Sequence, residues 1–225
     1  MTRMTSARIA GFTYLFYIAV AFPAMVMFSR ATKGEGMAAK LATIAQHASD
    51  MRVTVLLGLL SSLSGMVLGV TLYGVTRDED HEVALLACLC RAGEGLVGAI
   101  PVTTLGLVWL ATSSGANAPD AASANTVGWL LMKWGEWSTT TAATLFAVGS
   151  TLFSALLLRG RMIPRPLAWL GVLSSALLVV VLPLDLAGLM PISQLVWLPI
   201  AAFELILGPW LLIKGVPATV VSRSP

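Results

Sequence analysis

The chain has 225 residues, of which 57% are hydrophobic and only 11% are charged. A soluble domain normally carries about 25% charged residues, so this composition excludes a water-soluble globule and favours a membrane protein. The formal net charge of +3 comes from basic residues that do not cluster into a stripe, which argues against nucleic-acid binding and for a role in membrane topology.

Six apolar stretches are long enough to cross a hydrocarbon core of about 30 Å, which takes roughly 20 helical residues. In chain order they cover residues 9–28, 53–75, 83–111, 127–158, 167–189 and 195–213. The third and fourth exceed the minimum length, which a tilt, a kink at Pro101 or an extension beyond the bilayer would explain. The sequence therefore predicts an all-α integral membrane bundle of six transmembrane helices, forming a single domain over residues 1–225.

The distribution of Lys and Arg predicts the orientation, because short cytoplasmic loops retain basic residues. With the N-terminus inside, the eight cytoplasmic basic residues are Arg3, Arg8, Arg77, Arg159, Arg161, Arg165, Lys214 and Arg223. The five outer ones are Arg30, Lys33, Lys40, Arg52 and Lys133. This excess predicts that both termini are cytoplasmic.

Two loops on the predicted outer side differ in composition. Residues 37–44 place apolar side chains at helical spacing, which predicts a short helix on the outer membrane interface. Residues 112–126 are rich in Ser, Ala, Asn and Gly, which predicts a flexible outer loop.

The cysteines and histidines offer no obvious metal or haem ligands. Cys88 and Cys90 are two residues apart in an apolar run, where helical geometry points them to different faces. His47 and His81 fall in predicted loops on opposite sides of the membrane, whereas a transmembrane haem needs histidine inside the helices. We expect no metal and no cofactor.

Five ionisable residues lie within the apolar stretches: Arg91, Glu94, Glu136, Asp185 and Glu204. A charge at a helix centre costs about 2.5 to 3.5 kcal/mol, so each needs a partner or an aqueous cavity. With a rise of 1.5 Å per residue, Arg91 and Glu94 should lie about 12 and 16 Å from the cytoplasmic end of the third helix. Glu204 should lie roughly 14 Å from the outer end of the sixth, so these three residues can share one level near the midplane.

The other two carboxylates belong nearer the outer surface and would extend a polar column from the midplane to that face. Tyr14 could donate a hydrogen bond inward, with aromatic packing as the alternative, and Trp137 belongs to the outer aromatic belt. The candidate catalytic residues are Glu94, Glu204 and Asp185, and the candidate ligand contacts are Arg91, Glu136, Tyr14 and Trp137.

The central charges allow two interpretations. Arg91 and Glu94 are three residues apart and share a helix face, so Arg91 could bridge Glu94 and Glu204 as a purely structural clamp. Alternatively, the same residues form a ligand or proton site, because ionisable groups inside a membrane are functional by default.

Several segments, from the first helix to the last, form a recognisable set. They are Arg8-Ile9-Ala10-Gly11-Phe12-Thr13-Tyr14-Leu15, Ile163-Pro164-Arg165-Pro166-Leu167-Ala168-Trp169-Leu170-Gly171-Val172-Leu173, and Glu204 followed by Trp210-Leu211-Leu212-Ile213-Lys214-Gly215-Val216. Together with Arg91 and Glu94 they resemble a bacterial family of uncharacterised membrane proteins, domain-of-unknown-function family 4386. The resemblance implies about six helices in the bacterial cytoplasmic (inner) membrane and brings no known catalytic residues.

Three functions remain open from the sequence. The first is binding of, or action on, a lipophilic small molecule, in which a neutral buried carboxyl group acts as an acid on an alkene or epoxide. Small membrane-embedded terpene cyclases are similar in this chemical logic. The second is a proton-coupled transporter, which would be expected to form a homo-oligomer at this size. The third is a structural membrane subunit whose charges serve assembly, with the lipid bilayer as its surroundings.

Overall fold

The computed structural model describes residues 1–99, 101–115 and 118–217, which form eight α-helices and a short 3-10 turn, with no strand among them. The helices are α1 (Arg3–Ala31), α2 (Gly36–Gln46), α3 (Ala48–Thr76), α4 (His81–Gly98), α5 (Val102–Thr112), α6 (Ala121–Arg159), α7 (Arg165–Leu186) and α8 (Leu198–Ile213). The 3-10 turn, Gln194–Trp197, leads into α8. Six segments are long and apolar enough to cross a membrane, with α4 and α5 together forming the third. The predicted all-α bundle of six spans is confirmed.

The third span is interrupted near its proline. Helix α4 ends at Gly98 and α5 begins at Val102, with Pro101 immediately before the first turn of α5. Proline has no N–H to donate, and its ring clashes with the carbonyl one turn earlier, so a helix does not run straight through it. Of the three explanations that the sequence left open for the long third stretch, the structure shows an interruption at Pro101.

Two hydrophobic clusters hold the bundle together. The larger one includes Leu68, Leu157 and Leu207, from α3, α6 and α8. Large apolar side chains also face outward, among them Leu56 and Leu173. An apolar exterior of this kind fits lipid surroundings, where helices associate by close packing and not by hiding apolar surface from water.

The second cluster forms around α2. Met37, Leu41 and Ile44 of this helix are buried with Leu107 and Val108 of α5. The predicted short helix is confirmed, but its apolar face packs on protein, whereas the sequence alone suggested that it rests on the membrane interface. Helix α2 therefore closes one end of the bundle.

Helix α6 begins earlier than its sequence suggested. The Oδ1 atom of Asp120 accepts hydrogen bonds from the backbone N–H groups of Ala122 and Ser123, both at 3.0 Å. The backbone N–H of Ser123, followed by its hydroxyl, lowers the pKa of Asp120 below its ordinary value. Because this N-cap starts the helix at Ala121, the prediction of a flexible loop up to residue 126 is wrong for 121–126, and residues 116–117 lie outside the described part.

The start of α1, the α3–α4 turn and the end of α6 meet at one end of the bundle, here called the termini end. Arg3 Nη2 lies 3.7 Å from Glu79 Oε1, and Arg159 Nη1 lies 3.6 Å from Asp80 Oδ2. Arg3 Nε also donates to the carbonyl of Val75 at 2.8 Å. This arrangement is the one expected when successive spans run in opposite directions. The side of the membrane that this end faces remains a prediction of the Lys and Arg distribution.

Reporter fusions test that orientation. Fusions after Gly160 and after Gly215 are expected to be active as cytoplasmic reporters, because basic residues concentrate at the termini end. A reporter inserted after Ser114, in the loop before α6, is expected to be external. A cytoplasmic signal from the Ser114 insertion, with the other two external, would mean that the bundle has the opposite orientation.

Candidate functional site

Four polar residues from three helices come together in the middle of the bundle, and we call them the buried polar cluster. They are Tyr14 of α1, Arg91 and Glu94 of α4, and Glu204 of α8. Only 1% of Arg91 and 8% of Glu204 is exposed. Arg91 is the central member, because Glu94, Tyr14 and Glu204 are all near enough to interact electrostatically with it. The sequence-based expectation that Arg91, Glu94 and Glu204 share one level agrees with this arrangement.

The Arg91 side chain is enclosed by its neighbours. A Cβ atom at Gly69 of α3 would come within 2.9 Å of Arg91 Cβ, and one at Gly149 of α6 would lie 3.2 Å from Arg91 Cγ. Glycine at both positions therefore leaves room for the aliphatic part of the arginine. Its guanidinium carbon lies 4.8 Å from the centre of the Phe146 ring, a cation–π distance. The charge is thus held in a fixed place between α3 and α6.

Arg91 and Glu94 form an ion pair, with Nη1 2.9 Å from Oε2. The N–H groups of the Arg91 guanidinium do not point at Oε2 of Glu94 with the angle of a hydrogen bond, however. Among the described residues, the three guanidinium nitrogens of Arg91, Oε2 of Glu94 and Oε1 of Glu204 have no hydrogen-bond partner. Buried polar atoms are nearly always hydrogen-bonded, and leaving one unsatisfied costs about 1 to 3 kcal/mol. The cluster therefore has unused capacity to bind polar atoms.

The net charge of the cluster also indicates that one of its carboxyl groups lacks a partner. One arginine and two carboxylates would carry a net charge of −1 if all were ionised, and an uncompensated charge at membrane depth is costly. Because Arg91 pairs with Glu94, Glu204 is the carboxyl group without its own ion-pair partner among the described residues. Glu204 is therefore the better candidate for a protonated acid.

Close packing of α1 on α8 brings Tyr14 toward Glu204. A Cβ atom at Gly11 would meet the backbone N of Leu212 and come within 2.6 Å of the carbonyl oxygen of Gly208. Only glycine permits this approach. Tyr14 follows Gly11 by three residues and so lies on the same face of α1. The glycine therefore determines how near the tyrosine comes to α8.

The remaining predicted site residues lie elsewhere. Lys133 Nζ donates to Glu136 Oε2 at 2.8 Å, and their side chains are 51% and 61% exposed. Asp185 is partly exposed in the last turn of α7, and Trp137 is exposed. In the part of the chain that the structure describes, no hydrogen bond or ion pair joins Glu136 or Asp185 to the buried polar cluster, so the predicted polar column is not continuous there.

A cavity of about 930 Å³ lies toward the end of the bundle opposite the termini end, and we call it the large cavity. It is lined by α3, the α4–α5 break and α6, with contributions from α1 and α2. Glu136 lines it, whereas Arg91, Glu94 and Glu204 do not. Gly98 forms part of its wall and follows Glu94 by four residues, about 6 Å along α4. The large cavity and the buried polar cluster are therefore two separate sites that lie about one turn apart along α4.

Sequence reasoning missed the polar side of this cavity. The Nζ atom of Lys40 in α2 lies 5.4 Å from the centre of the Trp129 ring in α6, and both residues line the cavity. Lys40 counted in the sequence only as an outer basic residue. The burial of the apolar face of α2 explains its position, because this packing turns Lys40 toward α6.

No group of three or more His, Cys, Asp and Glu residues is close enough to hold a metal ion, as far as the described residues go. Cys88 and Cys90 are both free thiols and partly buried. The side chains of the buried polar cluster can provide hydrogen bonding, charge stabilisation and proton transfer.

Neither the curated proteins nor the solved structures contain a match to the chain. A family model does match, over residues 9–215, and its description is Domain of unknown function (DUF4386). This match covers all six spans from within α1 to just after α8. The chain, a multi-pass helical membrane protein, therefore belongs to the DUF4386 family.

Proposed function

We propose that the protein binds a lipophilic small molecule within the membrane and that the buried polar cluster acts on it by acid–base chemistry. The observation that carries this proposal is the set of unpartnered polar atoms on Arg91, Glu94 and Glu204. A group of buried charges that served only to hold the helices together would be expected to satisfy these atoms within the protein. On the family resemblance, we place this activity in the cytoplasmic membrane of a bacterium.

The large cavity is the proposed binding space. Its volume of about 930 Å³ falls in the range of roughly 300 to 1,000 Å³ that is typical of small-molecule sites. Its walls combine apolar side chains such as Leu59 and Leu107 with the charged Lys40 and Glu136. This combination suits an amphiphile with an apolar body and one polar group.

The α4–α5 break is the proposed route between this cavity and the cluster. Pro101 borders the cavity and cannot donate a backbone hydrogen bond to the preceding turn, so the junction is less constrained than a continuous helix. A small movement of the last turn of α4 would open a path from the large cavity, at Gly98, to the carboxylate of Glu94. Motion at this junction would then let the reactive part of the ligand reach the carboxylates.

The proposed chemistry is proton transfer without redox change. Protonated Glu204 donates its proton to a carbon–carbon double bond or an epoxide, which leaves a carbocation on the substrate and a carboxylate on the protein. Arg91 stabilises the two carboxylates that are then present. Loss of a proton from another carbon of the substrate to the Glu204 carboxylate completes an isomerisation or cyclisation and restores the starting state.

The substitutions Glu204→Gln and Glu94→Gln test this proposal. Each keeps the size of the side chain and removes its ability to transfer a proton, so we expect folded protein that no longer retains or converts its ligand. Native mass spectrometry of gently extracted protein, followed by identification of co-purifying lipophilic compounds, measures retention. Glu35→Gln, at an exposed residue before α2, is the matched control and should behave as wild type.

A structural clamp is the second candidate function, favoured by the tight enclosure of Arg91 between Gly69 and Gly149. This alternative predicts that ligand retention does not depend on the carboxylates. If both glutamine variants unfold, or if both retain and convert the ligand as wild type does, the site proposal is wrong and the clamp is the better account.

A further inference from the structure

We propose that a second cavity, between the α6–α7 turn and the end of α8, binds the phosphate group of an anionic membrane lipid. This cavity has a volume of about 530 Å³ and lies at the termini end. Its lining combines the cations Arg161 and Lys214 with Met162, Ile163, Trp210 and Val216. The proposal is independent of the large cavity and of the buried polar cluster.

The charge of this cavity is uncompensated. Arg161 and Lys214 line it, and no acidic residue does. Across residues 1–99, 101–115 and 118–217, neither side chain has a carboxylate within ion-pair distance. Positions 100, 116–117 and 218–225, which lie outside the described part, contain no Asp or Glu in the sequence.

Three arginines at the termini end are paired with acidic residues, whereas Arg8, Arg161, Arg165 and Lys214 have no ion pair among the described residues. Arg3, Arg77 and Arg159 each lie within 4 Å of an acidic residue of the α3–α4 turn. The carboxylates of residues 78–80 pair with these three arginines, and none of them pairs with Arg161 or Lys214. Two cations that line one cavity without an acidic residue favour an anion there.

The backbone conformation of Arg161 supports a functional role for its charged side chain. Its φ angle is +51°, the left-handed region that glycine adopts easily and L-residues rarely do. The N–H of Met162 donates to the carbonyl of Leu157 at 3.0 Å, so Arg161 occupies the helix-capping position where glycine is strongly preferred. Glycine is instead found one position earlier, at Gly160, where φ is −77°. An arginine in this disfavoured conformation points to a use for its charge.

The surroundings favour a lipid over a free anion. Met162, Ile163 and Val216 are buried in the wall, and Trp210 adds a partly buried aromatic ring. Tryptophan and basic residues at helix ends are typical of the headgroup region of a bilayer. The cavity also borders the first turn of α7, whose helix dipole attracts negative charge. A phospholipid could place its phosphate group near the two cations and the first turn of α7, and its acyl chains against the exposed apolar side chains of the helices.

The test is the thermal stability of purified protein in neutral detergent, with phosphatidylglycerol added as the anionic lipid. We expect phosphatidylglycerol to raise the Tm of the wild type by several degrees, because it binds only the folded state. Phosphatidylcholine and inorganic phosphate should have little effect. Arg161→Gly should be at least as stable as wild type without lipid, since glycine relieves the backbone strain, yet it should lose most of the lipid-induced shift.

Lys214→Gln should lose the shift in the same way, and it does so without changing a strained residue. Arg52→Gln, at an exposed cation of α3 near the opposite end, is the control and should keep the wild-type shift. Three results would overturn the proposal. They are an unchanged shift in both cavity variants, an equal shift with inorganic phosphate, and an equal shift with phosphatidylcholine.

Discussion

Replacing Arg91 with leucine is expected to destabilise the protein by about 3 kcal/mol or more, because it leaves Glu94 without its ion-pair partner in a buried position. Glu204 would also lose the neighbouring positive charge that acts on it. The two carboxyl groups would then have to bind protons or admit water. The fraction of folded protein, followed by denaturant titration in mixed micelles, measures the loss.

The chain offers a matched control for this experiment. Lys133 and Glu136 have the same three-residue spacing as Arg91 and Glu94 and nearly the same separation, but both are exposed. Exposed ion pairs contribute about 0 to 1 kcal/mol, so Lys133→Leu should have little effect. Adding Glu94→Gln to Arg91→Leu should restore part of the stability. A double variant as unstable as Arg91→Leu alone would show that the two residues are not coupled.

Gly11→Ala is expected to be the second most damaging substitution. The added methyl group would meet backbone atoms of Gly208 and Leu212 in α8, and a backbone cannot move aside as a flexible side chain can. Overpacking costs typically about 1 to 3 kcal/mol. Because α1 and α8 would have to separate, Tyr14 would move away from Glu204, and we expect ligand retention to fall together with stability.

Gly58→Ala is the matched control for Gly11→Ala. Gly58 lies in α3, and a Cβ atom there would meet nothing within 4 Å. The same substitution should therefore leave the denaturation midpoint close to that of wild type, or slightly higher, because alanine favours a helix more than glycine does. Equal losses for the two variants would mean that the intrinsic effect of glycine, and not the α1–α8 contact, accounts for the result.

The sequence alone determined the six spans, offered a kink at Pro101 as one of three explanations for the long third stretch, and led to the expectation that the central charges share one level. Each of these depends on position along a helix axis, which follows from the number of apolar residues and the fixed rise per residue. The pairing of Arg91 with Glu94 was also predictable, because residues three apart share a helix face whatever the neighbouring helices are. The start of α6 was readable too, since Asp120 is a typical N-cap residue, but the Ser- and Ala-rich composition concealed it.

Only the tertiary structure decided what lies around each helix. Nearly every face of these helices is apolar, so the sequence does not distinguish a side that packs on protein from one that faces lipid. The enclosure of Arg91 by Gly69 and Gly149 and the packing of α2 both depend on the rotation of one helix against another. So do the separation of Glu136 from the central charges and the meeting of Arg161 with Lys214 at one cavity. Depth is a local property of a helix, whereas the choice of neighbours is fixed by contacts between residues far apart in the chain.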